Sequence, residues 1–154
     1  MRNKNIMRCN PFAMAILIGI FMCACSSSKV GNTSGNMGPD IIASMNMAAT
    51  DWNEGNLDRF MALYDSTSTF MLPGGPVGIT GMKENYQRGF FNGNKPKQNL
   101  RYEEMVVRPL GKKYALLTGK FILSGNGMKE SSGRYSLVFL RRNSGWKILH
   151  DHSS

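Results

Sequence analysis

His150 and His152 are the two histidines of this 154-residue chain, and Asp151 stands between them. Imidazoles in H-x-H spacing can ligate a metal, shuttle protons or satisfy neighbouring hydrogen bonds. A metal requires at least a third protein ligand with an outer set of hydrogen-bonding partners. No His, Asp or Glu cluster at fixed spacing supplies one, and Glu103, Glu104 and Asp65 stand apart in the sequence. Neither a metal nor a cofactor is expected. If "GWKILHDHSS" (145–154) is a strand, Trp146, Ile148, His150 and His152 share one face, and Lys147, Leu149 and Asp151 take the other. On that alternation Asp151 does not act with its neighbours. Gly74, Gly75 and Gly78 lack the lysine of a phosphate loop, and Pro73 and Pro76 mark a turn instead. Asp58 reads as a helix cap.

These residues are carried by a chain whose first segment reads as an export signal. Arg2, Lys4 and Arg8 precede the apolar run "FAMAILIGIFM", which is short for a membrane-spanning helix. The run ends in "MCACSSS", which resembles the lipobox of bacterial lipoproteins, with small Ala24 before Cys25. The expected division is a signal peptide over 1–24, a tether over 25–38 beginning at an acylated Cys25, and one domain over 39–154. Cys9, Cys23 and Cys25 are the chain's three cysteines, so the domain has no disulfide. An acyl anchor gains about 0.8 kcal/mol per buried methylene. Ser26 after the cysteine, with no acidic pair beyond it, resembles the sorting signal of outer-membrane lipoproteins facing the periplasm.

Without the leader, 16 basic residues stand against 10 acidic ones. They are scattered and lack the basic stripe with interleaved aromatics of a nucleic-acid site, so no nucleic-acid partner is expected. "SSSKVGNTSGNMG" has almost no large apolar residue to offset its ordering entropy. The remaining residues suit one compact core.

Within that domain, "PDIIASMNMAATDWN" places Ile41, Met45, Ala48 and Trp52 on one helical face, with Pro39 in the first turn. "LDRFMALYD" predicts a second helix with Leu57, Phe60, Met61 and Tyr64 on one side, "STSTFML" a strand, "PGGPVG" a turn, and "GMKENYQRGFF" a third helix. From Asn99 the period changes to two, and four long strands follow, joined by turns at Gly111, Gly125-Asn126-Gly127 and Asn143-Ser144-Gly145. Such a meander is antiparallel and covers one face with helices, an α+β architecture.

The order of "WNEGNLDRFMALYDSTSTFMLPGG", "GITGMKENY" and "GWKILHDHSS" resembles the nuclear transport factor 2-like superfamily, and within it the SnoaL-like and ketosteroid-isomerase-like bacterial domains. The last strand also resembles the end of the calcium/calmodulin-dependent kinase II association domain. The resemblance implies a cone-shaped fold with three N-terminal helices on a strongly curved, mostly antiparallel sheet. It also implies a pocket between the concave sheet and the first helix, and often a dimer through the outer sheet face. The fold hosts isomerases, dehydratases, hydrolases and assembly modules, so it does not name an activity.

Judged by that resemblance, the ketosteroid-isomerase machinery is missing. Leu72 precedes Pro73 where those enzymes hold the catalytic carboxylate, Ala48 stands where they hold a tyrosine, and "GRYSLVFLRRN" lacks their second oxyanion acid. Aligning Gly145 with the glycine that opens the family's last strand puts His150, His152 and Ser154 on the pocket side. The candidate pocket residues are then Met45, Ala48, Trp52, Tyr64, Leu72, Tyr86, His150 and His152. The leading expectation is a non-catalytic, small-molecule-binding envelope lipoprotein, held to the membrane at Cys25 and forming a homodimer. The alternatives are a lyase, isomerase or hydrolase using His150 or His152 with Tyr64 or Tyr86, and a dimeric assembly module.

Overall fold

A computed structural model describes residues 36–154. The leader, Cys25 and most of the expected tether lie outside the described residues. The elements run α1 (Met37–Asn53), α2 (Leu57–Met61), β1 (Tyr64–Leu72), β2 (Gly75–Gly78), α3 (Ile79–Phe90), β3 (Phe91–Asn92), β4 (Lys95–Pro96), β5 (Asn99–Pro109), β6 (Tyr114–Gly125), β7 (Met128–Arg142) and β8 (Gly145–Ser153). Six strands form one sheet in the order β2-β1-β8-β7-β6-β5, and β3 and β4 make a separate two-stranded hairpin. The pairs of the large sheet are antiparallel except β1 with β8. The architecture is α+β, a curved, mostly antiparallel sheet with three helices.

The apolar spacing of α1 works as the sequence predicts: Ile41, Met45, Ala48 and Trp52 are all buried. Met37 and Gly38, assigned to the tether, instead form the first turn of α1. Pro39 is accommodated there because its missing N–H has no intrahelical acceptor. The second helix is shorter than predicted, ending at Met61, and Tyr64 and Asp65 open β1 instead. Asn56 caps it, its side-chain oxygen accepting from Arg59 N at 3.0 Å. Most of "PGGPVG" is strand β2, paired with β1 from Thr69↔Gly78 to Leu72↔Gly75, so β1 and β2 separate α2 from α3 rather than following all three helices.

Two irregularities govern the face of the sheet that meets the helices. In β5, Glu104 and Met105 stand opposite Gly119 alone, and Glu104 takes a φ of 54°. In β8, Ile148 pairs with Phe139 and His150 with Val138, so Leu149 is an extra residue between consecutive partners. A bulge of this kind bends the strand and re-aims the side chains beyond it. The core lies between α1, α2, α3 and the inner sheet face, around Ile41, Met45, Met82, Leu117, Phe139 and Ile148. Burying a side chain of that size contributes roughly 1.5–3 kcal/mol.

Candidate functional site

The core does not close completely. A partly enclosed cavity of about 260 Å³ remains between α1, α3 and the inner sheet face. Nine of its eighteen lining residues are aromatic, and Met45, Leu72, Leu100, Leu123 and Leu137 add aliphatic surface. Trp52 anchors one wall. Its indole N–H donates to the Gln98 carbonyl at 3.0 Å, and the next residue, Asn53, makes a two-way clamp with the backbone of Leu100 at 2.7 and 3.0 Å. These bonds tie the end of α1 to β5. The ring packs edgewise on Phe60, Tyr86 and Phe91 at centroid separations of 5.1, 5.6 and 4.8 Å.

Polar chemistry enters from β8. Asp151, 2 % exposed, accepts from the Tyr64 hydroxyl at 2.8 Å and from the Ser153 hydroxyl at 2.8 Å. The Tyr86 oxygen lies 3.3 Å from that of Tyr64. Because the single Tyr64 proton is engaged by Asp151, Tyr86 is the donor to Tyr64, and the chain runs Tyr86 to Tyr64 to Asp151. Burial pushes the Asp151 carboxyl above the usual carboxylate range, while its bonds from Tyr64 and Ser153 and the nearby His150 and His152 pull the other way. Burial above all, with the Asp151 charge among the further causes for each, holds Tyr64, Tyr86, Tyr102 and Tyr135 above the ordinary phenol value. All four are neutral at physiological pH.

A second polar feature lies on β7. The buried Tyr135 hydroxyl has no hydrogen-bond partner among the described residues, and its ring meets that of Tyr102 edgewise at 5.5 Å. It sits over Gly119, where a Cβ would come within 2.3 Å of the hydroxyl oxygen. Gly133 similarly admits the ring of Phe121 and the Ser154 carbonyl, which would stand 2.7 and 2.1 Å from a Cβ. The glycines of β6 and β7 therefore make room for two aromatic lining residues.

Residues 41–154 match the SnoaL-like domain family. The chain belongs to that family. The SnoaL-like domain also shares the nuclear transport factor 2-like fold with solved structures. One is a protein of unknown function from Shewanella oneidensis, 21% identical over 75% of this chain and 97% of that one, with a TM-score of 0.67. Another is a Novosphingobium aromaticivorans protein provisionally described as a scytalone dehydratase, 13% identical over 75% and 80%, at 0.61. A third is the association domain of C. elegans calcium/calmodulin-dependent kinase II, 17% identical over 75% and 93%, at 0.62. At these identities the likeness is one of fold. No curated protein matches the sequence.

In this SnoaL-like domain, Met45, Trp52, Tyr64, Leu72 and Tyr86 line the cavity. Ala48 does not; it lies on a shallow groove with Asp51, Arg59 and Trp146. His150 and His152 do not line it either, and their predicted placement is corrected by the bulge at Leu149. Trp146 and Ile148 stay on the inner face, but beyond Leu149 the phase inverts. His150 and His152 then pair on the outer face with Val138 and Ser136, and Asp151 comes inside beside Leu137. His150 Nδ1 lies 2.7 Å from Thr69 Oγ1, which satisfies it away from the cavity. Sequence reasoning missed Asp151, Ser153, Tyr102 and Tyr135. One signal was available: Ile148 and Leu149 are consecutive apolar residues in an otherwise alternating strand, the mark of a phase slip. Among the described residues, no three His, Cys, Asp or Glu side chains gather as a metal would need.

Proposed function

We propose that this SnoaL-like domain binds one small, largely apolar molecule in the cavity, and that binding is its role. The observation that carries this reading is the unfilled space of about 260 Å³, half lined by aromatic residues, with a single buried carboxyl at its edge. Ligand sites combine apolar walls with a few placed polar groups in this way. An apolar void of about 150 Å³ admits benzene, so one or two fused rings suit this one. The test is titration with the two-ring fluorophore 1-naphthylamine, which is neutral near pH 7. One probe per chain is expected to brighten on binding, and the cavity-filling Leu137→Trp variant, checked for folding by circular dichroism, to lose the response. A folded variant that binds as the wild type does would sink the proposal.

A second reading is favoured by the Tyr86–Tyr64–Asp151 chain. A buried carboxyl with a raised pKa beside two phenols is suited to move a proton, and Asp151 would fill, in a lyase, isomerase or hydrolase, the role that the sequence assigned to a histidine. In an enzyme, Asp151→Asn abolishes turnover but leaves probe binding.

The domain is further proposed to be the periplasmic part of an outer-membrane lipoprotein anchored at Cys25, and a homodimer through the outer sheet face. The basic, apolar leader ending in "CACSSS" supports the first. Two apolar features of the outer face support the second: Val106, 62 % exposed and paired with Thr118, and the cross-strand pair Leu116–Val138 in the next row. Fatty-acid labelling should be lost in Cys25→Ser and kept in Cys23→Ser. Sedimentation of residues 36–154 should give twice the monomer mass.

A further inference from the structure

Three acidic side chains are buried among the described residues: Asp51, Asp65 and Asp151. Two have a cationic partner. Asp51 pairs with Arg59 at 3.0 Å, and Asp65 takes two bonds from the Arg142 guanidinium at 2.7 and 3.1 Å. Asp151 has none within ion-pair distance among the described residues, and no lysine, arginine or histidine lines the cavity beside it. A buried carboxylate without a counter-charge is costly. Here the cost of removing it from water is incurred on folding, before any ligand arrives.

We infer that the molecule this cavity takes is a small organic cation, an amine or quaternary ammonium on an apolar body, with Asp151 as its counter-ion. The inference rests on the cavity-binding reading and names the ligand class. Three features converge on it. Asp151 accepts one bond at each oxygen, from Tyr64 and Ser153, which leaves a free lone pair on each. The direction of the hydroxyl chain leaves the Tyr86 oxygen as an acceptor. Trp52, Phe60, Phe70, Tyr86 and Tyr102 line the same space, and aromatic walls, whose ring faces attract a cation, together with a carboxylate are how ammonium groups are held in a dry site. The chain's net positive charge slows a cation's approach, but contact with a desolvated carboxylate sets the affinity.

The experiment uses three naphthalenes of one size and different charge: 2-naphthylmethylammonium, 2-naphthylmethanol and 2-naphthoate. Binding to the full domain is measured by calorimetry near neutral pH. The ammonium is expected to bind about tenfold or more tightly than the alcohol, and the carboxylate not at all. Asp151→Asn should bring the ammonium to the level of the alcohol. Should that variant fail to fold, the order among the three ligands in the wild type decides alone. A wild type that binds the alcohol as tightly as the ammonium overturns the inference and leaves the cavity reading standing. One that binds none of the three overturns both.

Discussion

Consecutive residues of β8 end on opposite faces of one sheet in very different surroundings. On the outer face, His150 and His152 lie in cross-strand rows, Thr69–His150–Val138–Leu116 and Met71–His152–Ser136–Thr118. His152 is exposed to water. On the inner face, Asp151 lies beside Phe70 and Leu137, sealed from water and held by Tyr64 and Ser153. The histidines are the residue type most often associated with chemistry near neutral pH, yet here they occupy the ordinary surface. Environment, not residue type, makes Asp151 the chemically poised group.

Substitutions on the two faces should separate them most widely. Trp52→Ala removes a buried ring, its Gln98 hydrogen bond and an aromatic cluster, and is expected to cost about 3–5 kcal/mol in urea unfolding. His152→Ala on the outer face should change stability by no more than about 0.5 kcal/mol. Comparable losses from both would erase the distinction drawn between the faces.

A smaller effect tests how tightly the inner face is built. Gly119→Ala drives a methyl into the Tyr135 hydroxyl and should cost about 1–3 kcal/mol. Tyr135→Phe alone should be neutral or slightly stabilising, because that buried hydroxyl lacks a partner. Combined, the two should recover part of the loss. A double variant no better than the sum of the singles would show that Tyr135 is not what Gly119 accommodates.

The smallest effect contrasts two carboxyls through pH. The Asp65 carboxyl is held well below its usual value of 3.8, first by its bonds from Arg142 and then by those from Thr67. The stability it adds is in full effect above that usual value and is lost as pH falls through the lower folded one. Asp151 has the opposite sign. Its raised pKa means that folding disfavours the charged form relative to the unfolded chain, so its contribution is complete below 3.8 and declines as pH rises through the folded value. The groups facing it are the phenols of Tyr64 from β1, Tyr86 from α3, Tyr102 from β5 and Tyr135 from β7, all neutral in that range, with His150 and His152 across the sheet. Melting temperatures of Asp65→Asn and Asp151→Asn against pH should therefore diverge from the wild type in opposite senses, Asp151→Asn gaining relative stability on the alkaline side. A parallel response in both variants would mean that Asp151 is not buried as described.

Much of this architecture was legible beforehand because it is local. The face of α1 from Ile41 to Trp52, the helical pattern of α3 and the four long strands each follow from a repeat within one segment. Tyr64 was misassigned for a related reason. Its spacing from Leu57, Phe60 and Met61 fits a helix, but pairing with Ile148 across β8 draws it into β1. Tyr102 and Tyr135 stayed hidden because an aromatic in an alternating strand reads as core whether or not a cavity lies beneath it.

The order of side chains along each segment, and so the kinds of element they form, belongs to the chain itself, since steric and hydrophobic periodicity acts over a few residues. Whether His150 or Asp151 turns inward does not belong to it. That choice depends on Phe139 pairing with Ile148 while its neighbour Val138 pairs with His150, which leaves Leu149 without a place in the ladder. Only partner strands set a register, and a slip of one residue carries every side chain beyond it to the other face.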